Sequence, residues 1–221
     1  MQKHSLQWLI PLLLLILGML AAGSATYRMM GMTEAVSTGI LPSEPQGLDR
    51  YVEHPLLSLM HLVPGILFVL LGPLQFIGAI RRRWPGIHRW SGRLFVASAL
   101  AAGASALSML WVFATFKIYS VIAANVLFGA WLIIAVVFGF RAIRRLDILR
   151  HRQWMIRAYA TGLAVATIRL VFFTVFLLIG DFGDAWLPMM VWGSFLLHTF
   201  MAELIIHRIR PRQRVMQLQV Q

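Results

Sequence analysis

The stretch HLVPGILFVLLGPLQFIGAIRRRWPGIHRWSGR, His61 to Arg93, decides the fold. An apolar run carries His61 and Gln75 within it and passes directly into three arginines, a Trp-Pro-Gly turn and a His-Arg-Trp triplet. A run of about 20 apolar residues crosses a bilayer as a helix, because a helix satisfies its own backbone polar groups in hydrocarbon. The side chains of His61 and Gln75 gain nothing from lipid, where an unpaired polar group costs several kcal/mol, so both should face other helices or a ligand. The arginines mark where the chain leaves the membrane.

Working outward, composition sets the class. Of 221 residues 59% are hydrophobic and 13% charged, an apolar share above that of an ordinary soluble domain. The expectation is an all-α, polytopic membrane helix bundle in a single domain. Little length is left for a soluble nucleotide- or flavin-binding module, so any electron donor or energy source has to come from outside. The net charge of +12 does not point to nucleic acid, since the charges fall between apolar runs with no basic groove of interleaved aromatics. The absence of cysteine excludes disulfides, thiolate metal sites, Fe–S clusters and covalently attached haem.

Six spans are expected, at 8–24, 56–80, 94–116, 118–140, 154–179 and 186–206. The first is short and followed by small residues from Ala21 to Ala25, so a cleaved signal peptide and a retained span both fit it; Tyr27 as an interfacial anchor favours the retained span. Residues 25–55 read as an external loop, with Pro42 and Pro45 and four acidic residues, Glu34, Glu44, Asp49 and Glu53. Its length suggests a short helix or a cap over the bundle, against a plain mobile loop. The connections after the second and fourth spans, with the basic tail 207–221, carry 15 Arg, whereas TFKIYS and GDFGDAW carry one Lys and two Asp. By the positive-inside rule both termini should be cytoplasmic. Pro85 suits the first turn of the third span and Asp147 the cap of the fifth, which puts His88 and His151 near helix starts. Small-residue stripes, Ala99-Gly103-Ala106 and Ala158-Gly162-Ala166, suit close helix packing.

The polar residues form two layers. His61, Phe68 and Gln75 recur at heptad spacing on one face of the second span, and His151, Met155, Gly162 and Arg169 share a face of the fifth over about five turns. Arg169 deep in a span needs a partner or a wet cavity. Counting from the span ends puts His61, Asn125 and Arg169 in an outer layer. Gln75, His88, His151, Arg157, His198 and Glu203 fall to the inner half. Two imidazoles facing across a bundle can ligate haem b, and His88 with His151 is the pair best matched in depth, with Arg89, Arg93 and Arg152 available for the propionates. The competing reading is a basic interfacial loop that holds anionic lipid headgroups. His61 fits a second axial ligand, a quinone contact or a proton relay, and equally a buried histidine bonded to a carbonyl. His198 reads as a satisfied core residue, and Trp84, Trp90 and Trp154 as interfacial anchors. Met29, Met30 and Met32 only weakly suggest a Cu(I) site.

GPLQF at 72–76, HRWSGR at 88–93 and HRQWMIRAYA at 151–160, with Arg169 beyond, resemble a bacterial family of predicted membrane proteins, the domain of unknown function DUF2306. The likeness covers about His61 to Arg169, within a core of 56–179, and implies a multi-helix membrane domain. His61, Gln75, His88, Arg89, Arg93, His151, Trp154, Arg157 and Arg169 match its pattern. The layout is also similar to the dihaem cytochromes of the b561 type, whose ligands come from two pairs of alternating helices. Here the third and fifth spans supply His at the same end, but the fourth has no mate for His61, so one haem fits better than two. The function expected is therefore a haem b electron-transfer protein, as an enzyme at most a membrane oxidoreductase, exchanging electrons with a quinol or partner protein. The alternative is a cofactor-free transporter or assembly subunit with a polar cavity of Gln75, Asn125, Arg157 and Arg169, and the plainest reading is an accessory subunit that only contacts lipid.

Overall fold

A computed structural model describes residues 2–39, 48–113, 118–180 and 183–218, all helical or connecting, with no strand among them. The helices are α1 (Gln2–Thr38), α2 (Leu48–Glu53), α3 (Pro55–Phe76), α4 (Gly78–Arg83), α5 (Pro85–Val112), α6 (Tyr119–Arg144), α7 (Ile148–Ile179) and α8 (Leu187–Leu218), the last preceded by a 3-10 turn, Asp184–Trp186. Six segments are long and apolar enough to cross a membrane: Pro11–Thr38, Pro55–Phe76, Pro85–Val112, Tyr119–Arg144, Ile148–Ile179 and Leu187–Ile209. The all-α fold and the six spanning segments are thus as expected. Residues 40–47 of the expected loop, Lys117, and the tail side chains beyond Ile209 lie outside the described residues.

The chain divides into two compact units, Met1–Gly129 and Ala130–Gln221, with the division inside α6. In the first unit α3 and α5 run antiparallel, since Gln75 meets Ser91 at one end and His61 meets Ala102 at the other. The buried face of α5, Phe95, Ser98, Ala102, Ser105 and Met109, steps by three and four residues, which is the heptad of a helix–helix seam. Phe68 stacks on Phe95 at 4.8 Å between centroids. α1 joins through a stripe of small buried residues that includes Ala21, Ala25 and Ala35. Gly18 lies so close to α3 that a Cβ there would come 2.8 Å from the Val69 carbonyl oxygen.

One boundary differs from the sequence reading. Residues 25–38, expected in the external loop, continue α1 as helix to Thr38. Their helix-favouring Met, Glu and Ala residues keep the helix going, and its buried stripe continues, with Ala25 and Met32 packed against Leu62 and flanked by Met29, Tyr51, Val52 and Ile66. The short helix expected further along is α2. It caps that end of the unit: Tyr51 packs edge-on against Phe113, His54 stacks on the same ring, and the Arg28 guanidinium lies 4.4 Å over Tyr51. Ser58 ties α3 to α2 by donating to the Tyr51 and His54 carbonyls.

α3 runs unbroken through Pro64 and Pro73 to Phe76, and the extended backbone of Ile77 ends the helix four residues short of the expected limit. The six-residue α4 follows, and Trp84 breaks the chain again before Pro85 opens α5. In the second unit a tight corner joins α6 to α7. The Asp147 N–H donates to the Ala142 carbonyl and the Leu146 N–H to that of Ile143, while Leu146 takes φ 60°. This is the Schellman arrangement, with leucine in the left-handed position that glycine usually fills. Asp147 then caps α7, as its sequence position suggested, by accepting from the Arg150 N–H at 2.9 Å. α7 and α8 pair antiparallel over the small buried residues Ala158, Ala164 and Ala166.

Candidate functional site

The α6–α7 corner sets the most suggestive geometry. Because only two residues, Arg145 and Leu146, lie between the end of α6 and the cap of α7, the chain folds back and His151 comes level with Gly139. The His151 Nδ1 lies 2.9 Å from the Gly139 carbonyl oxygen. A carbonyl only accepts, so Nδ1 carries a proton, and the tautomer compatible with this contact has its lone pair on Nε2. Gly139 permits the approach, since a Cβ on it would run into the Met155 side chain and press on Trp154. Trp154 stacks on Phe138 at 5.2 Å and lies 5.8 Å from Trp131, so an aromatic group of α6 and α7 flanks the imidazole's own turn.

One turn deeper, Arg157 grips Glu203 of α8 with both arms of its guanidinium, Nε to Oε1 and Nη2 to Oε2 at 2.8 Å. The same guanidinium lies 4.9 Å over the Trp154 ring. Arg157 is roughly 14 Å along α7 at 1.5 Å per residue, where an unpaired charge would be costly. Further along, His198 Nε2 and Thr167 Oγ1 are 2.8 Å apart, the satisfied pairing expected of His198.

The first unit holds a neutral ladder along the α3–α5 seam. The Gln75 Nε2 donates to Ser91 Oγ at 2.8 Å, and Ser91 donates to the Ile87 carbonyl. At the other end His61 Nδ1 lies 3.0 Å from the Ala102 carbonyl, so it carries the proton as His151 does. Buried Ser105 donates to the Met60 carbonyl beside it. His61, Phe68 and Gln75 thus present one face to one helix, as their heptad spacing suggested.

The other sequence candidates lie on α5, α6 and α7. His88 is half-buried one turn into α5, Arg89 is exposed, and exposed Arg93 lies 4.8 Å over the Trp90 ring. Asn125, expected beside His61, instead donates to the Val121 carbonyl of its own helix. Arg169 is half-buried on α7. His61, His88 and Asn125 belong to the first unit, and His151, Arg157 and Arg169 to the second. Met29 and Met32 lie at the α1–α3 core while Met30 is exposed, so the three thioethers do not share one face. Among the described residues no three His, Cys, Asp or Glu side chains group as a metal site.

Sequence reasoning missed the partners: Ser91, Ser105, Gly139, Thr167 and the Arg157–Glu203 pairing. For the ion pair a signal existed, because Glu203 is the sole acidic residue after Asp184 and an intramembrane arginine seeks a carboxylate. For Gly139 there was none, as a single glycine in an apolar span says nothing about its carbonyl.

A family model described as a predicted membrane protein, DUF2306, matches residues 58–206. No curated protein and no solved structure matches the chain.

Proposed function

The chain belongs to the DUF2306 family of predicted membrane proteins, and from that premise we propose that it binds haem b and transfers electrons within the membrane, with His151 as an axial ligand. The observation that carries this reading is the His151 Nδ1 contact to the Gly139 carbonyl. A histidine that ligates a metal through Nε2 typically gives its other N–H to a carbonyl, which fixes the tautomer and raises the basicity of the ligating nitrogen. His88 is the second ligand on sequence grounds, and Arg89 and Arg93 are the residues of suitable charge for propionates. Bound haem would supply one-electron chemistry; the chain itself orients the imidazole through Nδ1. A quinol or a partner protein would serve as the electron donor or acceptor, since the chain has no soluble redox module.

The test is the absorption spectrum of detergent-purified protein, oxidised and then reduced with dithionite. The expected result is a Soret band with sharp reduced α and β bands, lost in His151→Ala and in His88→Ala while helicity is kept. A flat spectrum from folded protein made in haem-replete cells overturns the reading. It would favour the cofactor-free alternative, supported by the half-buried Arg169 on a spanning helix, where an ionisable residue marks a functional site by default. In that case Arg169→Ala should abolish function and leave the fold intact.

A further inference from the structure

The elbow between α3 and α5 carries five arginines and no carboxylate of its own. Arg81, Arg82, Arg83, Arg89 and Arg93 are all exposed, and no Asp or Glu occurs between Glu53 and Asp147. Among the described residues, the recorded carboxylate pairs within 4.0 Å, Asp147 with Arg150 and Glu203 with Arg157, involve none of these five arginines. The guanidinium groups of Arg81 and Arg82 also crowd together, each within 4 Å of the place where a side chain on Gly78 would begin. Like charges held this close call for an anion between or over them. Because α3 and α5 both span the membrane, the α4 that joins them lies at the membrane–water boundary. Exposed Trp84, Ile87 and Trp90 stand beside the arginines, and tryptophan prefers the headgroup level.

We propose that the α4 elbow, Arg81 to Arg83 with Trp84 and Trp90, is a binding surface for the phosphates of anionic phospholipids. A guanidinium fork matches a phosphate with two parallel hydrogen bonds, and the tryptophans seat the adjoining glycerol and upper acyl region. The α6–α7 corner is equally rich in arginine, with Arg141, Arg144, Arg145, Arg150 and Arg152 exposed, but there Asp147 is present and pairs with Arg150. It serves as the internal control. The surface depends on no cofactor.

Binding of short-chain phosphatidylglycerol to the full chain in detergent tests this, with phosphatidylcholine as the neutral comparison. The variant R81Q/R82Q/R83Q should weaken phosphatidylglycerol binding roughly a hundredfold, at about fivefold per arginine near a headgroup surface. R141Q/R144Q/R145Q should change it less than about twofold, since that corner carries Asp147 and has no exposed tryptophan beside its arginines. Equal losses in both variants would show a general surface-charge effect, and an unchanged affinity in the elbow variant would show no site; either overturns the proposal. R82Q alone, expected to cost about fivefold, gives the same reading should the triple variant express poorly.

Discussion

The α3–α5 pair and the α7–α8 pair are both antiparallel hairpins of spanning helices, and they are held in register by opposite means. The first uses neutral hydrogen bonds spread along the seam, Gln75 to Ser91 and His61 to Ala102, with the Phe68–Phe95 stack between them. The second concentrates its polarity in one two-armed ion pair, Arg157 to Glu203, with His198 to Thr167 further along. Neutral hydrogen bonds between membrane helices average about 0.6 kcal/mol each, because the separated helices also find partners. A buried ion pair behaves differently: removing one member strands the other charge and costs about 3–5 kcal/mol. One hairpin therefore tolerates the loss of any rung, and the other depends on a single contact.

The sharpest way to break this comparison is Glu203→Ala. Arg157 is 14% exposed against 42% for Glu203, so it is the stranded arginine that dominates, and a loss of about 3 kcal/mol is expected. Equilibrium unfolding in mixed detergent measures it. Replacing both members by apolar residues, Arg157→Met with Glu203→Leu, should recover most of that loss; if the double variant is as unstable as the single one, the pair is not the register lock described.

Next in size is Gly139→Val. Its side chain would meet Met155 and Trp154, and overpacking of this kind costs about 1–3 kcal/mol. It would also push the Gly139 carbonyl from His151, so under the haem reading the Soret band should weaken while Gly139→Ala, the smaller change, weakens it less. The smallest effect is expected in the first hairpin. Gln75→Leu removes one rung, and Ser91 still donates to the Ile87 carbonyl, so the loss should be near 0.6 kcal/mol. A loss as large as that of Glu203→Ala would erase the distinction between the hairpins.

Some of this architecture could be read directly from residues. Pro85 and Asp147 marked helix starts because proline suits a first turn and aspartate a cap, and both do so here. The heptad of His61, Phe68 and Gln75 announced a buried face because spacing fixes which side of a helix those residues share. Continuation of α1 through residues 25–38 was hidden by polar residues such as Arg28, Thr33 and Glu34, which look like a loop until Met32 and Ala25 are seen packed on Leu62. For Asn125 the amide donates to its own helix backbone, an alternative that spacing cannot separate from a cross-helix contact.

By itself the sequence determined the membrane class, the six spans and the residues too polar for lipid, because transfer to hydrocarbon is a local property of each segment. Which groups satisfy those residues was decided only by tertiary structure. A hydrogen bond requires a partner within about 3 Å in a suitable direction, and the carbonyls of Gly139 and Ala102, which hold His151 and His61 in one tautomer, belong to residues without polar side chains. Every residue carries such a carbonyl, so nothing in the sequence distinguishes these two until the helices are packed.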